Sequence, residues 1–305
     1  MAGQSSSDSE PVGLTPAGPG NVARERCLGR QGWNGAYMEI VGEKINTSRK
    51  GLERAVRERD AAFIQDLARI QAEAGATYLD VNSGLALYPE EEAEDFKWLV
   101  PLIQEAVDLP LCIDSARTPA IEAALKLHRG SAMINSVTGD PEKMEAILPL
   151  AGQYRCKVIA LTSNKQAGIP KTSAERLKIA EAIAKESQKY GVALEDIYFD
   201  PLVFSVGTDQ GSGLLFLETL REIKRCLGDA KTISGLSNIS FGLPKRRLLN
   251  QAFLVLALGA GMDAAIMDPT DKAIVALVQA TEAVMGRDPY CVGYLKAFRA
   301  GKLDV

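Results

Sequence analysis

Eight short apolar runs, separated by longer segments with helical spacing of apolar residues, constrain this chain more than any other feature. The runs are 38–44, 77–82, 110–115, 132–137, 157–162, 197–202, 232–236 and 263–267. Strands of a buried parallel sheet carry apolar side chains on both faces, so they read as unbroken runs rather than as alternating ones. Between the second pair of turn signals, 60–73 places Phe63, Ile64, Leu67, Ala68 and Ile70 on one helical face. The segments 119–127 and 141–152 begin with Pro119 and Pro141, which a first helical turn tolerates. Longer apolar-striped helices are expected at 173–190 and 248–258, and a further helix at the C-terminus. Gly75, Gly191 and Gly261 follow helical segments, where a left-handed residue ends the helix. Eight such repeats predict an α/β fold closed into a (β/α)8 TIM barrel. An open doubly wound sheet would satisfy the same alternation. No GxGxxG follows a strand, however, and the glycine-rich 207–213 lacks the Lys-Ser/Thr of a phosphate loop, so it reads as an ordinary βα loop.

The 305 residues and 46% hydrophobic content suit one barrel over 37–305. Residues 1–36, with Ser5-Ser6-Ser7, Pro11, Pro16 and Gly18-Pro19-Gly20, have no periodicity and read as a disordered leader without the apolar core of a secretory signal. A net charge of −4 gives no electrostatic footprint for nucleic acid. The five cysteines include no CxxC pair, and with a single histidine no metal site is expected. Cys112 and Cys156 read as small core residues, and the reduced thiols point to the cytoplasm. No apolar run is long enough for a membrane span.

Four runs end in carboxylates or amides: Asp80 and Asn82, Asp114, Asn135, and Asp200. In a closed barrel the C-terminal strand ends meet at one mouth, where such folds keep their chemistry. Asn238, in Gly235-Leu236-Ser237-Asn238, reads as the end of the seventh strand. Carboxylates and amides with almost no histidine suit a flat heterocycle rich in hydrogen-bonding groups. A pterin is such a ring. Its 2-amino and N3–H groups form a donor pair that one carboxylate accepts, as it accepts a guanidinium. An amide both donates and accepts, so it can follow a ring nitrogen through a change of protonation.

Val41-Gly42-Glu43-Lys44-Ile45-Asn46, Leu79-Asp80-Val81-Asn82, Cys112-Ile113-Asp114-Ser115, Met133-Ile134-Asn135-Ser136, Phe199-Asp200-Pro201-Leu202 and Gly235–Gly242 together resemble, in order and spacing, the pterin-binding methyltransferases. These include the methyltetrahydrofolate:corrinoid/iron–sulfur protein methyltransferase, the folate domain of methionine synthase and the standalone demethylation-type enzymes. The resemblance implies methyl transfer between N5 of tetrahydrofolate and the cobalt of a corrinoid (cobalamin) carried by a partner protein. Segment 238–250 is closer to the demethylation type, which implies flow from methylcorrinoid to tetrahydrofolate. It further implies that Asp114, Asn135 and Asp200 hold the pterin, that Asn238 acts at N5, and that the protein is a homodimer.

Other positions carry two readings each. Asp80 and Asn82, like Glu43 and Asn46, either meet the ligand or anchor loops. Ser237 offers its backbone or hydroxyl to the ring or shapes the turn. Arg246 lies near the pterin or is an exposed helix-start cation. Lys165 meets a glutamate tail or is surface; Asp268 lines the site or shapes its loop. His128 reads as a cap, and the charge run 90–97 as a solvated helix face. Two alternatives to the methyltransferase stand: dihydropteroate synthase, whose Ser-Arg-Lys motif near strand seven is here Ser237-Asn238-Ile239, and a non-catalytic folate-binding module.

Overall fold

Strand pairing in a computed structural model follows the chain order around a closed, all-parallel ring, β1 to β8 and back to β1. The structure describes residues 38–304 apart from 85 and 87. The expected leader, 1–36, lies outside the described residues. The strands are β1 (Glu39–Asn46), β2 (Tyr78–Asn82), β3 (Leu111–Asp114), β4 (Met133–Val137), β5 (Lys157–Leu161), β6 (Ile197–Asp200), β7 (Lys231–Gly235) and β8 (Ala264–Met267). Each corresponds to one of the eight apolar runs, so the barrel expectation holds.

The helices are α1 (Leu52–Arg57), α2 (Ala61–Glu73), α3 (Pro89–Ala106), α4 (Thr118–Leu125), α5 (Pro141–Tyr154), α6 (Ser173–Ser187), α7 (Ser212–Cys226), α8 (Arg246–Ala260), α9 (Lys272–Val284) and α10 (Val292–Arg299). Side chains start several of them. Asp60 accepts from Phe63 N at 3.1 Å, Thr172 from Glu175 N at 3.3 Å and Asp271 from Ile274 N at 3.4 Å. Gly75, Gly191 and Gly261 have φ of 99°, 71° and 109°, the left-handed C-terminal geometry read from the sequence. Among the described residues no helix is long and apolar enough to cross a membrane.

Alternation along each strand divides the core in two. Leu79, Val81, Ile113, Ile134 and Val158 face the helices and are fully buried. Burying such a side chain is worth about 1.5–3 kcal/mol. Val41, Tyr78, Cys112, Met133, Ile159, Tyr198, Ile233 and Ala264 fill the barrel interior. Cys112 and Cys156 are buried free thiols, as expected of core cysteines.

A polar network occupies the N-terminal end of the barrel. Tyr198 Oη donates to Glu39 Oε2 at 2.6 Å and accepts from Lys157 Nζ at 3.1 Å. Lys157 and Lys231 lie 3.6 and 3.5 Å from Glu39 Oε1. His128 works at this end too. Its Nε2 accepts from Leu111 N, the first amide of β3, at 3.0 Å, a backbone-satisfying role rather than a catalytic one. Burial lowers its pKa, which keeps that nitrogen free to accept.

Strand β1 departs from regularity between Gly42 and Ile45, where the register against β2 shifts. The displaced amide of Lys44 donates to Gln71 Oε1 of α2 at 2.9 Å. A Cβ on Gly42 would lie 2.6 Å from that same oxygen, so a side chain there would push the Gln71 amide away from the Lys44 N–H. Asn46 ends β1 as expected, whereas Glu43 lies inside the strand, within the irregular stretch.

Candidate functional site

Register alone assembles the mouth. Asn46 pairs with Asn82, Asn82 with Asp114, and Asp114 with Asn135. Parallel partners present their side chains to the same face, so four adjacent strands place four polar side chains in one row. Farther round, Leu161 pairs with Asp200, and Gly235 with Ile266. The top of the barrel is therefore polar along β1–β4 and at β6, and apolar or bare at β5, β7 and β8.

The acids differ in environment. Asn82 Nδ2 donates to Asp114 Oδ2 at 3.0 Å, while Oδ1 has no protein partner among the described residues. Burial pushes the Asp114 carboxyl up to about 6, against the lowering effect of the Asn82 bond. Asp200 Oδ1 accepts from Leu202 N at 2.7 Å, which leaves Oδ2 open. Burial lifts Asp200 to about 7, against that amide and the nearby Arg176 charge. Asp80 lies one step deeper, side by side with Cys112, and its Oδ1 has no partner among the described residues. Burial, reinforced by the Asp114 charge, holds Asp80 well above the carboxylate range, although the Cys112 thiol and the Asn135 amide favour its ionised form. Two close carboxyls in a dry site resist double ionisation.

Arg176 fixes the Asp200 loop. It is buried, and its guanidinium donates to Pro170 O at 2.9 Å, to Pro201 O and to Leu202 O at 2.8 Å. Leu202 sits at φ 64°, a left-handed conformation costly for a branched side chain, and the arginine clamp holds it there. Nothing in the local sequence of α6 marks this arginine, because two of its three partners lie 25 and 26 residues away.

Asn238 does not end a strand. β7 stops at Gly235, and Leu236–Ser240 forms a 3-10 turn beyond it. The turn is imposed by its ties. Arg246 Nη2 donates to Ser237 O at 2.7 Å and Arg246 Nε to Ser240 Oγ at 3.1 Å. The Asn238 side chain is exposed and has no hydrogen-bond partner among the described residues. It folds back over the end of β7, where a Cβ on Gly235 would approach Nδ2 to 2.9 Å. Ser237 is half-buried in the same turn, and Arg246 also lies over the Phe241 ring at 5.8 Å.

The remaining candidates are engaged by other groups. Glu43 pairs with Arg49, and its carboxyl is raised by burial despite that partner. Asp268 pairs with Lys44 at 2.8 Å and accepts from Thr270, so Lys44 joins the rim as a cation the sequence did not single out. Lys165 is exposed and pairs with Glu142. The charge run 90–97 is not simply solvated. Glu92 is buried and pairs with Arg117 at 2.7 Å, Phe96 is fully buried, and Asp95 accepts from Ser83 at 2.5 Å. Among the described residues no group of three His, Cys, Asp or Glu side chains could hold a metal ion.

Residues 43–268 match the model of the pterin-binding enzymes. The chain belongs to this family. A methylcorrinoid:tetrahydrofolate methyltransferase from Eubacterium limosum is 41% identical over 268 residues, which cover 87% of this chain and 98% of that enzyme. A methionine synthase of Mycobacterium tuberculosis is 31% identical over 76% of this chain, but the match spans 20% of that longer protein. Among solved structures, a dihydropteroate synthase of Xanthomonas albilineans with 4-aminobenzoic acid superposes with a TM-score of 0.65 at 20% identity, covering 82% of this chain and 94% of the other. A Yersinia pestis dihydropteroate synthase gives 0.62 at 17%, covering 81% and 94%. These two share the family's barrel.

Proposed function

We propose that this protein transfers a methyl group between N5 of tetrahydrofolate and the cobalt of a corrinoid held by a separate protein, running from methylcorrinoid to tetrahydrofolate. The observation that carries this reading is the end-to-end match to the Eubacterium limosum enzyme, in a chain whose strand register lines a barrel mouth with carboxylates and amides. The residues suit a pterin head group. Asp114 and Asp200 each keep one carboxylate oxygen open, which accepts the N–H donors of the ring, and Asn135 donates to or accepts from its nitrogens. Asp80, beneath them, is held toward its neutral form by burial and the Asp114 charge, and lies within hydrogen-bonding reach of the Asn135 amide. Glu43, Asn46, Ser237 and Arg246 shape the rim around the ring.

The corrinoid, brought by its carrier, supplies the cobalt-bound methyl group. N5 then gives its lone pair to the methyl carbon and acquires positive charge, while the carbon–cobalt bonding pair would stay with the departing cobalt as Co(I), and the N5 proton is lost to solvent once the bond has formed. The Asn238 carbonyl accepts a hydrogen bond from N5–H, and this bond strengthens with that charge. An interaction that strengthens only in the transition state raises rate more than affinity. In the reverse direction the Asn238 N–H donates to N5 as methyl leaves. The unpartnered, exposed amide suits a side chain that moves onto its substrate.

The protein acts as a homodimer in the cytoplasm, joined through helices away from the mouth, and 1–36 is a leader outside the chemistry. Exposed Leu256, Val284, Met285 and Phe298 offer apolar surface for that contact. The deciding experiment measures methyl transfer from free methylcobalamin to tetrahydrofolate. Asn238→Ala should lower kcat by about 10²–10³-fold, with folate affinity within about threefold. A wild-type rate in that variant would remove Asn238 from the reaction, and an inactive wild-type protein would remove the activity.

A further inference from the structure

The turn that carries Asn238 is held from two sides by hydroxyl groups the reaction does not touch. Ser240 is fully buried; its Oγ donates to Asn250 Oδ1 of α8 at 2.6 Å and accepts from Arg246 Nε. Arg246 simultaneously binds Ser237 O, so one guanidinium spans both ends of the Ser237–Ser240 segment. On the other side, Val206 N donates to Ile239 O at 3.0 Å and Ser205 Oγ to Phe241 O at 2.6 Å. The backbone of Asn238 is thus fixed while its amide is left unpartnered. A rigid base under a mobile side chain limits where the amide can go, and placement of that kind governs rate.

From this arrangement we infer that Ser240 and Asn250 are positioning residues for methyl transfer, acting through Asn238. The inference rests on the role given to Asn238 above. Without the Ser240 hydroxyl, Asn250 and Arg246 each lose a partner, and the turn is released from α8. The ring-binding acids Asp114 and Asp200 are on other strands and keep their geometry, so folate binding is spared.

The test is a double-mutant cycle in the full chain, with methylcobalamin and tetrahydrofolate as the probes. Ser240→Ala and Asn250→Ala should each lower kcat at least tenfold, with KM for tetrahydrofolate changed by less than threefold. Asn250→Asp keeps the acceptor oxygen and should stay within threefold of wild type. In an Asn238→Ala background, Ser240→Ala should cost less than a further twofold. An equal loss in both backgrounds, no loss in the wild-type background, or an Asn250→Asp variant as slow as Asn250→Ala would each overturn the inference. If Ser240→Ala does not fold, the Asn250 variants decide by the same criteria. The Asn238→Ala arm separates the two readings. Full activity there ends both, whereas a slow Asn238→Ala with an undiminished Ser240 effect ends this one alone.

Discussion

Folate affinity should rise steeply between pH 6 and pH 8, because the acids that receive the ring's N–H donors are substantially protonated in the free protein. Asp200 sits at about 7 and Asp114 at about 6. At pH 6 about a tenth of Asp200 and about half of Asp114 are ionised; at pH 8 both are above about nine-tenths. If each must be ionised to accept from the ring, affinity grows roughly 20-fold across that interval. The sign follows from the donors. Bound N–H groups favour the carboxylate, so binding lowers both pKa values and releases protons, about 1.4 per site at pH 6 and few above pH 8. Isothermal titration with tetrahydrofolate, in buffers of different ionisation enthalpy, counts those protons directly. Asp200→Asn should leave only the Asp114 share, about twofold over the same range. A flat affinity profile, or proton uptake on binding, would refute the assignment of these acids to the ring.

Other outcomes follow from the same geometry. The raised Asp200 favours its protonated form in the folded protein, so the contribution is present below pH 3.8 and lost as pH rises through about 7. Ligand-free Asp200→Asn should therefore be more stable than wild type at pH 8, by up to about 4 kcal/mol, and the gain should shrink toward pH 4 in urea titrations. Arg176→Met removes the clamp on three backbone carbonyls and should cost about 3 kcal/mol, read as a lowered Tm. Gly235→Ala pushes the Asn238 amide aside and should slow methyl transfer tenfold or more with Tm nearly unchanged, since the group displaced is a mobile side-chain tip. Glu39→Ala leaves Lys157 and Lys231 without their shared carboxylate and should lower stability by about 2 kcal/mol with kcat intact.

The barrel was legible because both faces of every strand are buried, which writes each strand as a continuous apolar run. The positions of Asp114 and Asp200 at the mouth were legible for the same reason, as polar residues ending such runs, whereas Asn135 lies two residues before the end of β4 and reaches the same row through its register with Asp114. What stayed hidden depends on partners distant in the chain. The β1 irregularity rests on Gln71, 27 residues from the amide it receives. Glu92 is buried within a run of charges because Arg117, 25 residues on, neutralises it. Tyr198 and Glu39 meet across 159 residues. The turn under Asn238 escaped for a different reason. Leu236 and Ile239 are buried and extend the apolar run, so the strand appears to continue past Gly235, and contacts to Val206, Ser205 and Arg246, which the run itself does not reveal, hold the turn instead.

The crowding of Asp80 against Asp114 also bears on how long the protein survives in a cell. Like acids held together in a dry pocket resist ionising together, and a substrate that donates N–H groups to Asp114 offsets the cost of charging it. Anything that binds only the folded form protects it in proportion to its concentration. Starved of folate, the same polypeptide would open more often and fall sooner to proteases, so its abundance would track supply of the vitamin without any dedicated regulator.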